Sequence, residues 1–287
     1  MTKESKRKNN LSYFEQRVAN NQWRTLNNLE NTMSELIEVY DKATQHLVDE
    51  LLKLSEEIER KGLSRSRFYL LNYLRDMEEV YIKELAKLGK RVEKTYTKAL
   101  AGAVTSAKYY SKKELGTKSF ESLEYLENPN FVKKLLETKY KGATFTSRLG
   151  RNNAVLVREL KETLERGLTT GQSITQMTLN LRNKMNSNLN DTMRLVRTET
   201  MHHLNDVKLK SYKDSKVVTH VKDVVVLDGR TSDQCSSCAG KIYKIEDAPV
   251  LPRHPNCRCV LVPHIDVKKV SRELKEKEDK IKEKFKN

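Results

Sequence analysis

The distribution of proline most constrains this chain. None occurs before Pro129, and four of the five lie between Pro249 and Pro263. A run of 128 residues without proline, rich in Leu, Glu, Lys and Ala, can carry long uninterrupted helices. Apolar residues recur along it at helical spacing: Leu11, Phe14 and Val18, then Leu26, Leu29, Met33, Leu36, Ile37 and Tyr40, then Leu47, Leu51 and Leu54. Lys61-Gly62 reads as a helix stop, and Ser64 as the cap of the next helix. That helix carries Leu70, Leu74, Met77, Tyr81, Leu85 and Leu88, and can run on through Gly89 and Gly102 to about Leu115. A helical hairpin or bundle is expected over the first 115 residues, with these stripes as core or partner-facing seams.

Asn128-Pro129 is a helix opening, with Pro at the first helical position. A helix with Val155, Leu156, Leu160 and Leu164 is expected to stop at Arg166-Gly167. Ser173 then caps a helix carrying Ile174, Met177, Leu181 and Met185, and a further helix is expected from about Asp191 to Tyr212. At Lys216 the pattern changes. Val217–Val221 and Val224–Leu227 are β-branched runs, read as one strand or two. Asp228-Gly229 is a turn signal, and Ile242-Tyr243 and Cys259–Val262 are short strand candidates. Beyond them, Val267 to Lys286 alternates Lys and Glu with sparse apolar residues, as a solvated helix does.

These readings give a mainly α protein with elongated N-terminal helices and a small C-terminal β-rich, zinc-stabilised module, an α+β arrangement. The expected divisions are a helical region 1–127, a helical middle 128–215, a Cys/His module 216–264 and a charged helix or tail 265–287. Hydrophobic residues make up 37% and charged residues 33%, a balance shifted toward surface and thus toward extended helices. No run of 18 apolar residues exists, so no membrane-spanning helix and no membrane partner are expected. MTKESKRKNN has no apolar stretch behind its basic residues, so export is not expected either.

The net charge is +16, which favours polyanions, with nucleic acid first. A basic soluble protein without a nucleic-acid role is the plain alternative. The span Val132–Lys161 is the most basic, and Lys133, Lys134, Lys139, Lys141, Arg148, Arg151 and Arg158 are its candidate double-stranded DNA contacts. Such contacts read phosphates and not sequence.

Four cysteines fall in one window: Cys235-x-x-Cys238, eighteen residues, then Cys257-x-Cys259, with His254 three before Cys257. In a chain without an export signal this pattern is metal before disulfide. A C-x₂-C pair offers two thiolates on one turn, and a second pair completes the tetrahedral set that zinc takes. On a strand Cys257 and Cys259 share a face. His254-Pro255-Asn256-Cys257 reads as a knuckle, so His254 could stand in for Cys259. A structural zinc, disulfides and free thiols all remain open from spacing alone. With four protein ligands, zinc has no position for water.

Arg197-Thr198-Glu199 with Asn205 forms a second motif on the preceding helix. Arg197 and Glu199 do not share a helix face, and the expected role is structural, facing the module. Asp228 and Arg230 flank the turn before Cys235 as turn-fixing or supporting groups. His202 and His203 read as ordinary core or surface histidines. No catalytic constellation is visible, and no enzyme activity is expected.

Taken in order, these motifs resemble a known family. Gly171-Gln172-Ser173, Arg197-Thr198-Glu199, Asn205, Tyr212, Asp228-Gly229-Arg230-Thr231, Cys235-Ser236-Ser237-Cys238, Gly240, Pro252, His254-Pro255-Asn256-Cys257-Arg258-Cys259 and Pro263 follow one another as in the head-morphogenesis, or minor head, proteins of tailed phages similar to protein F of phage Mu. The likeness covers roughly 130–264. In that family Cys238 and the His254/Cys257/Cys259 group recur as a unit; the spacing Ser232-Asp233-Gln234 before Cys235 is a departure. The resemblance implies a structural protein of the virion, present at low copy and made in the host cytoplasm. It implies association with the portal protein during procapsid assembly, contact with packaged DNA and, in some phages, ejection with it. Capsid or scaffold proteins are further candidate partners. The rivals are a phage-associated nuclease or transferase and a cellular zinc-containing DNA-binding protein.

Overall fold

The computed structural model of the chain describes residues 8–62, 73–115, 130–215 and 217–265. The Ser64 cap, the Asn128-Pro129 opening and the helix expected over 267–286 lie outside the described residues.

Helix α1 (Tyr13–Asn27) begins at a capping box, in which Glu15 N donates to Ser12 Oγ at 3.3 Å and Ser12 N donates to Glu15 Oε2 at 2.7 Å. Helix α2 (Glu30–Arg60) stops at Lys61-Gly62, where Gly62 takes φ +62°. Helix α3 (Tyr73–Leu115) passes through Gly89 and Gly102 without a break. A short α4 (Phe131–Glu137) leads to α5 (Phe145–Thr169), capped by Thr144, and then to α6 (Ile174–Asp214), capped by Ser173.

The apolar stripes converge on one core. Leu36, Tyr40, Leu47 and Leu51 of α2 meet Leu85, Leu88, Val92 and Leu100 of α3, with Leu156 and Leu160 of α5 and Leu181, Met185 and Val196 of α6. At a fully buried position such as Leu47, truncation to Ala costs about 2–5 kcal/mol.

Two helix limits differ from expectation. The helix expected to stop at Arg166-Gly167 continues to Thr169. Gly167 serves packing there, because a Cβ on it would lie 2.5 Å from Met177 Sδ. The turn comes later, at Thr170 and Gly171, the latter with φ +66°. The two helices expected over 174–185 and 191–212 are one helix of 41 residues. Asn186, Ser187, Asn188 and Asn190 are mediocre helix formers but not breakers. Tertiary bonds compensate: Asn188 Oδ1 accepts from Tyr40 Oη at 2.6 Å, and Asn188 Nδ2 donates to Asn152 O at 3.3 Å.

The C-terminal sheet has three antiparallel strands in the order β2-β1-β3, formed by β1 (His220–Val224), β2 (Ile242–Lys244) and β3 (Val260–His264). The two β-branched runs thus yield a single strand. It is buried from Val221 to Val224 because both of its faces are covered. Val224, Val260 and Val262 pack on Val18 and Ala19 of α1, and Val221 and Leu261 pack with Tyr212, Cys235, Cys257 and Cys259.

Polar bonds fix this packing. Gln22 Nε2 donates to Leu261 O at 2.9 Å, and Trp23 Nε1 donates to Arg258 O at 3.1 Å. Glu15 meets Lys222 Nζ at 2.8 Å and His264 Nδ1 at 2.7 Å. Asn9 exchanges bonds of 2.7 and 3.0 Å with the backbone of Val225. Lys208 of α6 pairs with Glu114 of α3 at 2.7 Å, their side chains 2% and 1% exposed.

Candidate metal centre

The four cysteines are free thiols, and the fold separates them. Cys235, Cys257 and Cys259 are buried, with sulfurs all within 4.8 Å of one another. Cys238, expected as the partner of Cys235, is half-buried outside that set; its thiol lies 3.9 Å from Ser237 Oγ. The reason is local. Cys235 sits on the one-turn helix α7 (Asp233–Ser236), capped by Ser232 through a 3.2 Å bond to Cys235 N, which turns Cys235 inward. Cys238 falls past the end of that turn.

The second pair arrives on the knuckle. Cys257 N donates to His254 O at 3.2 Å, Asn256 takes φ +58°, and the chain then enters β3 through Cys259. His254 stands beside Cys235, outside the group of three. Its Nε2 stands 3.0 Å from Cys235 Sγ and 2.9 Å from Ser232 Oγ, and its Nδ1 lies 2.9 Å from Pro255 O. With Nδ1 donating to that carbonyl, Nε2 is the lone-pair nitrogen and faces the Cys235 thiol and the Ser232 hydroxyl.

The donor set fits a thiophilic ion. Sulfurs on a tetrahedral zinc with bonds of about 2.3 Å stand about 3.75 Å apart. Cys235 Sγ and Cys257 Sγ are 3.7 Å apart, well beyond a disulfide bond. A hydrogen bond from Cys259 lowers the Cys257 pKa to about 5. Burial pushes Cys235 up, and the bond to Cys257 pushes Cys259 far up. Crowded thiols of this kind give up their protons when a cation enters. The three thiols could therefore hold a metal ion, with His254 beside them.

The supporting residues come from three directions. Asp228 makes two 2.7 Å bonds to Arg258, between the two cysteines of the second pair, and accepts from Arg230 N at 2.9 Å. The Arg258 guanidinium holds the Asp228 carboxyl well below the usual carboxylate range. The Arg230 side chain is 83% exposed. Arg253 pairs with the fully buried Asp223 of β1.

The motif on α6 divides into four tasks. Arg197 is partly exposed and stands 3.7 Å from Glu30. Thr198 Oγ1 accepts from Asn256 N at 3.2 Å and so holds the knuckle. Glu199 turns away from the module and pairs with Arg148 of α5 at 3.0 Å. Asn205 secures β3, accepting from Leu261 N at 3.3 Å and donating to Cys259 O at 3.4 Å. Sequence reasoning missed Ser232 and the individual role of Thr198. Ser232, three residues before Cys235, carried a helix-cap signal that could have marked it.

Six of the seven basic candidates are exposed: Lys133 and Lys134 on α4, Lys139 and Lys141 in the following loop, and Arg151 and Arg158 on α5. Arg148 is turned inward, toward Glu199 and the carbonyls of Tyr140 and Ala143. No described helix is long and apolar enough to cross a membrane.

Residues 158–262 match the family model described as phage Mu protein F like protein. The match runs from α5 to β3 and takes in the α6 motif and all four cysteines, bearing out the resemblance read from the motifs. No curated protein matches the chain.

Proposed function

From the likeness of residues 158–262 to phage Mu protein F, we propose that the chain is a minor structural protein of a tailed-phage head. It joins the procapsid with the portal protein and resides inside the virion. The match over the motif helix and the cysteine module carries this reading. The role is structural and not enzymatic. Cys235, Cys257 and Cys259 are the zinc ligands of this reading, with His254, beside Cys235, as the nearest fourth donor, and four protein donors would leave no place for a reacting water.

The test is assembly. Co-expressed with the portal, scaffold and major capsid proteins of its own genome, the chain should co-purify with procapsids at low copy and be depleted from procapsids built without portal. Its absence from complete procapsids would overturn the reading.

The exposed cations support a second part, sequence-independent contact with packaged DNA. Six phosphate contacts give a slope of about −5 in log affinity against log salt, or roughly a 10³-fold loss between 50 and 200 mM. Charge reversal at Lys133, Lys134 and Arg151 should flatten that slope. Arg148 is already committed to Glu199 and adds little. Affinity for duplex DNA that does not change with salt would remove this part.

A further inference from the structure

Between α5 and α6 the fold buries a carboxylate without giving it hydrogen bonds. Glu199 is 1% exposed. Arg148 Nε stands 3.0 Å from its Oε1 as an ion pair, yet neither carboxylate oxygen nor that Nε makes a hydrogen bond among the described residues. Burial holds the Glu199 carboxyl up at about 7 against the pull of Arg148. A buried carboxyl in this condition costs free energy unless something else bonds to it.

Glu199 lines a cleft of about 310 Å³, open to solvent, whose walls carry Lys141, Arg151 and Arg194. Lys141 spends one donor on Arg253 O at 2.7 Å, and Arg194 pairs with Asp191 at 2.6 Å. Both keep further donors, and Arg151 is exposed. Counting Arg148, four cations face two carboxylates, so the cleft is net positive and attracts an anion.

The anion must also satisfy Glu199, and this narrows its chemistry. One proton must lie between Glu199 and the anion, and either partner can carry it, because burial keeps the Glu199 carboxyl protonated longer than usual. A phosphate monoester has its second pKa near 6. Around neutral pH it carries anionic oxygens for the cations and can share one proton with a carboxylate. A monoester offers three free oxygens to three cations and Glu199, whereas a phosphodiester offers only two.

We propose that this cleft binds a phosphate monoester, its anionic oxygens toward Lys141, Arg151 and Arg194 and one oxygen toward Glu199 across the shared proton. The monoester is the terminal phosphate of a DNA strand or the phosphate of a free nucleotide. The site deepens the DNA reading above by naming one phosphate, and it stands or falls separately from it.

The experiment compares two short duplexes of one sequence, one with 5′-phosphates and one with 5′-hydroxyl ends, at constant ionic strength, with dAMP as competitor. For a strand-end site the phosphorylated duplex binds about tenfold more tightly or better. The dAMP removes that increment, and Arg151→Ser with Arg194→Ser, both exposed positions, erases it. For a free-nucleotide site the two duplexes bind equally, but dAMP binds directly and the double variant loses at least about tenfold. Equal duplexes with no dAMP binding up to about 1 mM, or dAMP binding that the double variant leaves unchanged, overturns the site. The salt slope of the 5′-hydroxyl duplex reports on the general DNA contact alone.

Discussion

Replacing Cys235 and replacing Cys238 by serine should have opposite outcomes, although the two residues belong to one C-x₂-C pair. Cys235 Sγ is 3.7 Å from Cys257 Sγ, inside the group of three, whereas Cys238 lies outside it. Purified wild type should hold about one zinc per chain, as one tetrahedral set requires. Cys235→Ser, Cys257→Ser and Cys259→Ser should lose it, Cys238→Ser should keep it, and His254→Ala should weaken it. The thiols share an apolar cluster with Tyr212, Val221 and Leu261, so loss of the ion reaches the sheet. With free zinc at a thousand times its Kd, binding contributes about 4 kcal/mol to the folded form, less whatever the unfolded thiols recover. At about 2–4 °C per kcal/mol for a chain of this size, chelation should lower the melting temperature by roughly 8–16 °C. Elemental analysis and thermal unfolding with and without chelator read both quantities. A Cys238→Ser protein as metal-free as Cys235→Ser, or a Cys235→Ser protein with a full equivalent, would refute the assignment.

Lys208→Met should destabilise the protein by about 3–5 kcal/mol, because it strands the buried Glu114 carboxylate. Lys208→Met with Glu114→Leu should recover most of that loss in urea unfolding, and a single variant costing under about 1 kcal/mol would contradict the pair's burial. Glu199 has a folded pKa of about 7, above its ordinary 4.5, so the native form keeps its proton longer than the unfolded chain. Its contribution is complete below pH 4.5 and declines as pH rises to about 7, by about 3 kcal/mol at most. Glu199→Gln should flatten that part of the stability profile between pH 5 and 7.5; parallel profiles for variant and wild type would exclude it.

The helices were legible where one face meets one core. Leu36, Tyr40 and Leu47 recur at helical spacing because they face one core, which α2 builds with α3 and α6. The Ser173 cap was legible because a serine oxygen three residues before Gln176 acts locally, and the structure shows that bond at 3.1 Å. The continuity of α6 was hidden, since it depends on Tyr40, distant in sequence, bonding to Asn188. So was the inward turn of Arg148, which the six other basic candidates disguised and which its partner on α6 and the Tyr140 and Ala143 carbonyls explain. Spacing alone could place Cys235 and Cys238 on one turn but not decide which of them faces the knuckle. Three-residue offsets describe a helix, and this one ends at Ser236.

The bond between Glu15 and Lys222 spans 207 residues of chain. Closing a loop of that length costs about 5 kcal/mol in chain entropy. The helices α2 to α6 make their contacts over shorter separations, so they can assemble while the ends are still apart. Helix α1 completes its seat only when β1 and β3 exist and Gln22 and Glu15 find Leu261, Lys222 and His264. Until then Val18 and Ala19 lack the cover of Val224, Val260 and Val262, which share their cluster with Met201 of α6. During synthesis the first helix therefore emerges long before its binding surface, and its apolar face must wait, exposed, for the strands that will cover it.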